Sequence, residues 1–401
     1  MRLPSERWLK VVFVVTAVVF ASVTLYIYAL RFFAWAESDA AVTVVLAGKI
    51  LDAGSPVVDN WYYANGDVWC FGPHLLALLP VAVLGIGPAS LLIAVVVGFA
   101  LELSVLVYEY ARLCSERWIA LFAAMVTLTV WSQSHAAFVY AQLAYGYSAV
   151  VYLFLFAQVA RLAEHGAPRA WRWLAVGAIL AVLTVQNPTR AVVFGLAPLL
   201  AACAWPWHGL TLRRRLGIGA ALVAGWAVAY AVYALVFTRV VQFSVPRGFT
   251  EFAFANRVGI AANLGNLARG LLLLCGDGTF PGALPGLIVL IGAIGLVVAH
   301  QLESRALTRS RFLCTVVSAQ FIMVCVPLVI GNLLVSRDSV RYLIPSLITM
   351  FGLAAILAVR AVATAGARSR RWLAAGWLGA VPVAALFAMP GARPPQPAHY
   401  V

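Results

Sequence analysis

Residues 11–30 read VVFVVTAVVFASVTLYIYAL, twenty residues in a row without a charge. As a helix rising 1.5 Å per residue, such a run covers the ~30 Å hydrocarbon thickness of a bilayer. Apolar stretches of similar length return at 89–108, 216–237 and 342–359. The whole chain of 401 residues is 64% hydrophobic and only 10% charged, whereas soluble domains carry about 25% charged residues. Too little polar surface is left to clothe a soluble core. Lipid demands that backbone polar groups be satisfied within each segment. The sequence therefore predicts an all-α polytopic integral membrane protein, with 1–401 forming a single transmembrane domain. Arg2, Arg7 and Lys10 give a basic start and Ser22 mimics a small-residue cleavage site. The apolar run is nonetheless too long for the h-region of a signal peptide, so it is expected to be a retained first span.

The net charge of +14 is a topological signal and does not call for a nucleic-acid partner. Basic residues gather in Arg2–Lys10, Arg112 with Arg117, Arg161 to Arg172, Arg213 to Arg215, Arg305 to Arg311 and Arg360 to Arg371. These groups hold 18 of the 28 Lys and Arg residues, against three acids within them and Glu303 beside one. The positive-inside rule places them together in the cytoplasm. The remaining segments are nearly neutral and fall outside. With 34–70 outside and Arg112 inside, residues 74–111 cross a net single time. The break Gly85-Ile86-Gly87-Pro88 then makes 74–85 a short interfacial or re-entrant helix and 89–111 the true span. About 11 transmembrane helices result, near 9–33, 89–111, 118–134, 141–160, 172–187, 191–208, 216–238, 284–303, 312–331, 342–360 and 372–389.

Two long outer segments remain, 34–73 and 239–283. Both are rich in aromatics, Gly, Pro and Asn, and loops of this length usually bind or gate something. In the first, Ser38 or Asp39 caps a helix over about 40–53. Val42, Val45, Leu46 and Ile50 form its broad apolar face, with Lys49 snorkelling from within it, as suits a helix lying in the interface. Further on, Asp59-Asn60-Trp61-Tyr62-Tyr63-Ala64-Asn65-Gly66-Asp67 suits either an interfacial aromatic belt or a platform for a sugar, and Asp67 either binds or closes a turn. His74 opens the next apolar stretch. Glu102 and Glu109 lie seven apart, so both face roughly one way. Glu109 is near the membrane edge, while the deeper Glu102 needs an Arg partner, a metal, or a proton.

Outer arginines are the other signal, because guanidinium groups meet phosphate oxygens with several donors at once. Arg190, Arg239, Arg247, Arg257, Arg269, Arg337 and Arg341 are the candidates, and Arg341-Tyr342 leads directly into Leu343-Ile344-Pro345. The six cysteines have no metal-ligand spacing, and Cys70 and Cys275, outside the spans, are either free or paired. No HxxxH, HExxH, Walker or Rossmann pattern occurs, so no metal or cofactor is expected.

Taken with Glu37-Ser38-Asp39, the run Leu46-Ala47-Gly48-Lys49-Ile50-Leu51-Asp52-Ala53-Gly54-Ser55-Pro56, then Gly72-Pro73-His74, and finally Arg341-Tyr342-Leu343-Ile344-Pro345, the chain resembles the C-type (GT-C fold) membrane glycosyltransferases that use polyprenyl-phosphate sugars. The resemblance covers the first third and the architecture. It implies a multi-pass protein of the bacterial inner membrane, with interfacial helices in the first outer loop and an active site facing the periplasm. It assigns the catalytic base to Asp39, with Glu37 as the nearby alternative, and donor phosphate to Arg257 and Arg341. Lys49, Asp67, His74, Arg190 and Tyr342 complete the implied substrate-binding set. The implied partners are the polyprenyl-phosphate sugar donor, membrane lipids and a lipid, glycan or protein hydroxyl acceptor. Members of this class often carry a second acid between spans three and four. Here Trp131-Ser132-Gln133-Ser134-His135-Ala136 has none, so either His135 substitutes or no metal is needed. A lipid-linked glycan ligase or polymerase, depending on Arg and His of the outer loop, is a competing expectation. A transporter or flippase is another.

Overall fold

The computed structural model describes residues 6–36, 38–58, 61–64, 72–114, 116–164, 170–207, 209–244, 254–303, 308–331, 337–363 and 368–388. Glu37, Asp67, Cys70, Arg247 and the Pro-rich tail lie outside these, and of Asp39 the backbone alone is described. The helices are α1 (Glu6–Trp35), α2 (Ser38–Ala53), α3 (His74–Leu84), α4 (Pro88–Ala111), α5 (Arg117–Leu128), α6 (133–141), α7 (Ala144–Glu164) and α8 (Ala170–Gln186). They continue as α9 (Pro188–Ala204), α10 (Leu212–Val240), α11 (Arg257–Cys275), α12 (Phe280–Glu303), α13 (Arg309–Ile330), α14 (Ile344–Ala363) and α15 (Arg368–Phe387).

By length and composition, eight helices among the described residues are able to cross a membrane: α1, α4, α7, α10, α11, α12, α13, and α14 with the turn before it. Large apolar side chains stay bare on the outside of the bundle, such as Leu25 at 69%, Val228 at 67% and Ile291 at 67% exposure. A soluble monomer rarely shows so much apolar surface. The chain is an all-α polytopic membrane protein. Each of the eleven expected spans meets a helix, four of them shorter than the rest (α5, α8, α9 and α15).

The expected span 118–134 is helical only to Leu128, and the chain then runs irregularly through Thr129–Ser132. Irregular backbone at membrane depth is tolerated only inside protein. Val130, Trp131 and Ser132 are accordingly 3% exposed or less. α5 packs against α14, whose residues are buried on nearly every face. These two helices form the centre of the bundle.

The basic segments assemble at one end, called here the basic end. Arg309 Nε donates to Glu164 Oε2 at 2.6 Å and Arg214 Nη2 to Leu162 O at 2.8 Å. Arg215 reaches Ala204 O and Trp205 O, and Arg360 reaches Leu113 O. Several of these acceptors are carbonyls near helix C-termini, where a positive charge is favoured.

At the far end the two long segments meet. Tyr62–Ala64 and Gln242–Ser244 pair as short parallel strands, with Tyr62 opposite Gln242, a small departure from an all-helical chain. Leu46 and Ile50 of α2 join Val58 and Val241 in a cluster beside them. The segment 239–283, expected as a loop, contains α11. Although α11 is long enough to cross a membrane, its first half and its last residue are both held at the far end. Asn263 Nδ2 donates to Val329 O at 2.9 Å and Gly331 O at 2.7 Å, at the top of α13. At its other end, a Cβ on Gly286, near the start of α12, would strike the carbonyl of Cys275. α11 thus lies across the bundle. Cys275 is a buried free thiol, and its candidate partner Cys70 lies outside the described residues.

Candidate functional site

α1 carries the chain to the far end. Trp35 closes it, buried against the bundle and edge-on to Tyr26 at 6.4 Å, and Arg31 Nε donates to Tyr26 OH at 2.8 Å. Ala36 turns extended, and α2 starts at Ser38 with Asp39 as its second residue and Ala40 fully buried. An acid in this first turn suits the helix dipole. The buried pair Trp35 and Ala40 fixes the backbone on either side of this turn.

The apolar face of α2 is not the expected one. Val44, Leu46, Ala47 and Ile50 are buried, whereas Val42 is 36% exposed. The reason is burial on two sides. Val44 and Ala47 join the main core while Leu46 and Ile50 face the small far-end cluster. Gly48 permits close approach to α3–α4, since a Cβ there would strike Ile86. Lys49 is exposed and has no apolar face to cross.

α3 and α4 form an antiparallel hairpin about Gly85–Gly87, with Gly85 at φ 78° and Ser90 Oγ donating to Gly85 O at 2.5 Å. With 11 residues, α3 is too short to cross. Leu76 packs at Gly98, so the buried His74 enters the bundle at the depth of Gly98 and Glu102.

Glu102 is 4% exposed and has neither an Arg partner nor a hydrogen bond at either oxygen among the described contacts. A Cβ on Gly146 would lie 2.5 Å from its Oε2, so a side chain there would displace the carboxylate. Aromatic rings stack nearby, Tyr28 and Phe99 each against Tyr140 at 5.4 and 4.7 Å. Tyr140 OH donates to Leu128 O at 2.9 Å and lies 3.3 Å from Thr24 Oγ1. The paired acid is instead Glu109, joined to Arg161 with both side chains 2% exposed.

The arginines expected to bind phosphate separate into two groups. Asn187 caps α9 by accepting from Arg190 N at 2.9 Å. The Arg190 guanidinium lies 5.3 Å from the centre of the Tyr342 ring. Arg341 lies 5.8 Å from that ring and 5.5 Å from Phe138. Tyr145 closes the group, 5.4 Å from Phe138 and 6.4 Å from Tyr342. Arg190, Arg341 and Tyr342, far apart in sequence, thus form one half-buried cationic and aromatic cluster at the far end. Arg257 opens α11 and is exposed, as is Arg269. Neither contacts the cluster through any described hydrogen bond or ring interaction.

His135 is buried and structural. Its Nδ1 accepts from Trp131 N at 3.3 Å, and Ser132 Oγ accepts from His135 N at 3.0 Å, so both act at the start of α6. Among the described residues no three His, Cys, Asp or Glu side chains gather as metal ligands.

Three π-helical turns border this region: Ile27–Arg31 before Asp39, Ala137–Ala141 with Phe138 and Tyr140, and Ala191–Leu196 directly after Arg190. Such wide turns recur at functional sites because they re-aim side chains. The aromatic partners Phe138, Tyr140 and Tyr145 are absent from the sequence-based candidates. Apolar segments are rich in such rings, and nothing local marks these three.

No protein-family model matches the chain, and no curated protein or solved structure matches it.

Proposed function

We propose that the protein is a membrane glycosyltransferase of GT-C-like architecture with about eleven crossings. It moves a sugar from a polyprenyl-phosphate donor to a hydroxyl acceptor at the far end of the bundle. The observation that carries this reading is the convergence of Arg190, Arg341 and Tyr342 at the end where α2 begins with Ser38 and Asp39. In this reading the far end faces the periplasm of a bacterial inner membrane, as the distribution of basic residues predicts.

The chemistry needs few groups. Asp39 accepts the proton of the acceptor hydroxyl as its oxygen attacks the anomeric carbon. Polyprenyl phosphate leaves, and Arg190 and Arg341 meet its charge in surroundings drier than water. Single displacement inverts the anomeric configuration. The meeting of Arg190 and Arg341 at Tyr342 favours that pair over Arg257 with Arg341 for the phosphate role. Phe138 and Tyr342 flank the guanidinium groups and restrict their rotamers, with Tyr145 packed behind both rings. Lys49, Asp67 and His74 remain in the proposed substrate-binding set.

The test is transfer from a panel of radiolabelled polyprenyl-phosphate sugars by the purified protein. Asp39→Asn removes the proton acceptor, and its activity is expected to fall at least ~100-fold, the lower range for a positioned general base. Its donor affinity stays unchanged, and Glu37→Gln retains far more activity. Arg190→Ala and Arg341→Ala weaken donor binding. Near-normal transfer by a monodisperse Asp39→Asn protein would return Asp39 to a role in starting α2. Loss in the arginine variants with Asp39→Asn fully active would favour a ligase or polymerase.

A further inference from the structure

The basic end holds a cavity of about 440 Å³ that the proposed transfer does not use. Arg112, Arg309, Arg311, Arg360, His300 and Glu164 line it, together with the hydroxyls of Thr308 and Ser310. Among the described residues that line it, four guanidinium groups face one carboxylate, an excess of three positive charges before His300 is counted.

Topology alone does not explain this arrangement. The positive-inside rule asks only that basic residues stay on one side, where exposed side chains serve. Here Arg311 is 4% exposed. It is held by donating from Nη2 to Gln301 O at 2.7 Å and by lying 5.1 Å above the Trp207 ring. Arg309 is anchored by Glu164 and Arg360 by Leu113 O. His300 Nε2 lies 3.0 Å from Ser310 Oγ. These contacts preset the side chains, which lowers the entropy cost of binding. Walls of low dielectric concentrate the surplus field into the cavity.

We infer that this cavity is a binding site for a phosphate-bearing anion, distinct from the donor site at the opposite end. Arginine clusters recognise phosphate with paired, charge-assisted donors, and Thr308 and Ser310 add neutral ones. The volume exceeds what a bare phosphate needs and falls in the range of small-ligand sites, ~300–1,000 Å³. Two sources share this chemistry. One is the headgroup of an anionic phospholipid from the adjoining leaflet, as basic pockets between spans take. The other is a soluble phosphate or diphosphate ester.

The experiment uses the full chain in nanodiscs. One arm compares bilayers of phosphatidylcholine with bilayers containing phosphatidylglycerol, reading bound lipid by native mass spectrometry after release into neutral detergent. The second arm titrates inorganic phosphate and diphosphate in phosphatidylcholine nanodiscs and reads the thermal midpoint. Retained phosphatidylglycerol identifies a headgroup site, and a rise in midpoint with soluble anion identifies the other source. Arg112→Gln, at an exposed side chain that leaves folding intact, and the double variant Arg112→Gln/Arg360→Gln are both expected to weaken binding. The double variant should lose about tenfold or more, the scale of one lost charge-assisted contact. Arg117→Gln, exposed at the same end but outside the cavity, should bind as wild type. Equal affinity in wild type and both cavity variants would overturn the inference, as would an equal loss in Arg117→Gln.

Discussion

The ion pair between Glu109 of α4 and Arg161 of α7 offers a quantitative test of the packing. Both side chains are 2% exposed, and the pair ties two helices together near the basic end. Removing one partner of a buried pair leaves the other charge stranded, at a cost of about 3–5 kcal/mol. At 1.4 kcal/mol per factor of ten, that lowers the folding equilibrium constant by more than ~100-fold. Glu109→Met and Arg161→Met should each show this loss. The double variant replaces both charges with apolar groups of similar volume, which is often neutral or stabilising. It should therefore recover most of the stability, giving a coupling of at least ~3 kcal/mol in a double-mutant cycle. Equilibrium unfolding in mixed micelles, followed by circular dichroism, measures each corner of the cycle. The effect should persist in high salt, because buried pairs are poorly screened. Lys10–Glu6, whose side chains are 67% and 80% exposed, serves as the salt-sensitive control. A coupling below ~0.5 kcal/mol, the usual additivity error, would refute the buried pair.

Three further outcomes follow from particular residues. Gly352→Ala would drive its Cβ into Thr127 Oγ1 and Tyr110 OH, which share a 2.9 Å hydrogen bond; overpacking of this kind costs about 1–3 kcal/mol, read as a lower thermal midpoint. Gly376→Ala, with open space around it, should show no drop. For sidedness, Asp52→Cys and Thr308→Cys both sit at exposed positions, at the far and basic ends. Thr308 serves better than Ser310, which is buried beside His300. In intact cells an impermeant thiol reagent should modify Asp52→Cys alone, and the reverse pattern would overturn the assigned orientation. Burial pushes the Cys114 thiol up to about 11, although Arg360 pulls it partly back. Its thiolate is therefore scarce at neutral pH, and its alkylation rate in detergent, followed by mass spectrometry, should rise about tenfold per pH unit from 7 to 10. A plateau near pH 8 would contradict this.

The membrane class, the positions of the eleven expected helices and the grouping of basic residues were legible in the sequence. Each rests on a local property: the length of an apolar run, a Gly-Pro break such as 85–88, or an Arg cluster beside a span. The end of α1 before Asp39 and the short α3 were readable for the same reason. Contacts between distant segments were not. In lipid an apolar side chain facing a neighbouring helix looks no different from one facing the bilayer, so periodicity could not choose the buried face of α2. Nor could it show that α5 stops at Leu128 inside the protein, or that α11 lies across the far end. Spacing placed Glu102 and Glu109 on one side of α4, yet only the position of Arg161 on α7 decided that Glu109 is paired. Arg190 and Arg341 were equal candidates with Arg257 by composition. Their meeting at Tyr342 depends on how α6, α7, α9 and the turn before α14 pack. Local sequence specifies what each segment is, whereas shape complementarity between segments remote in the chain specifies which charges and rings meet.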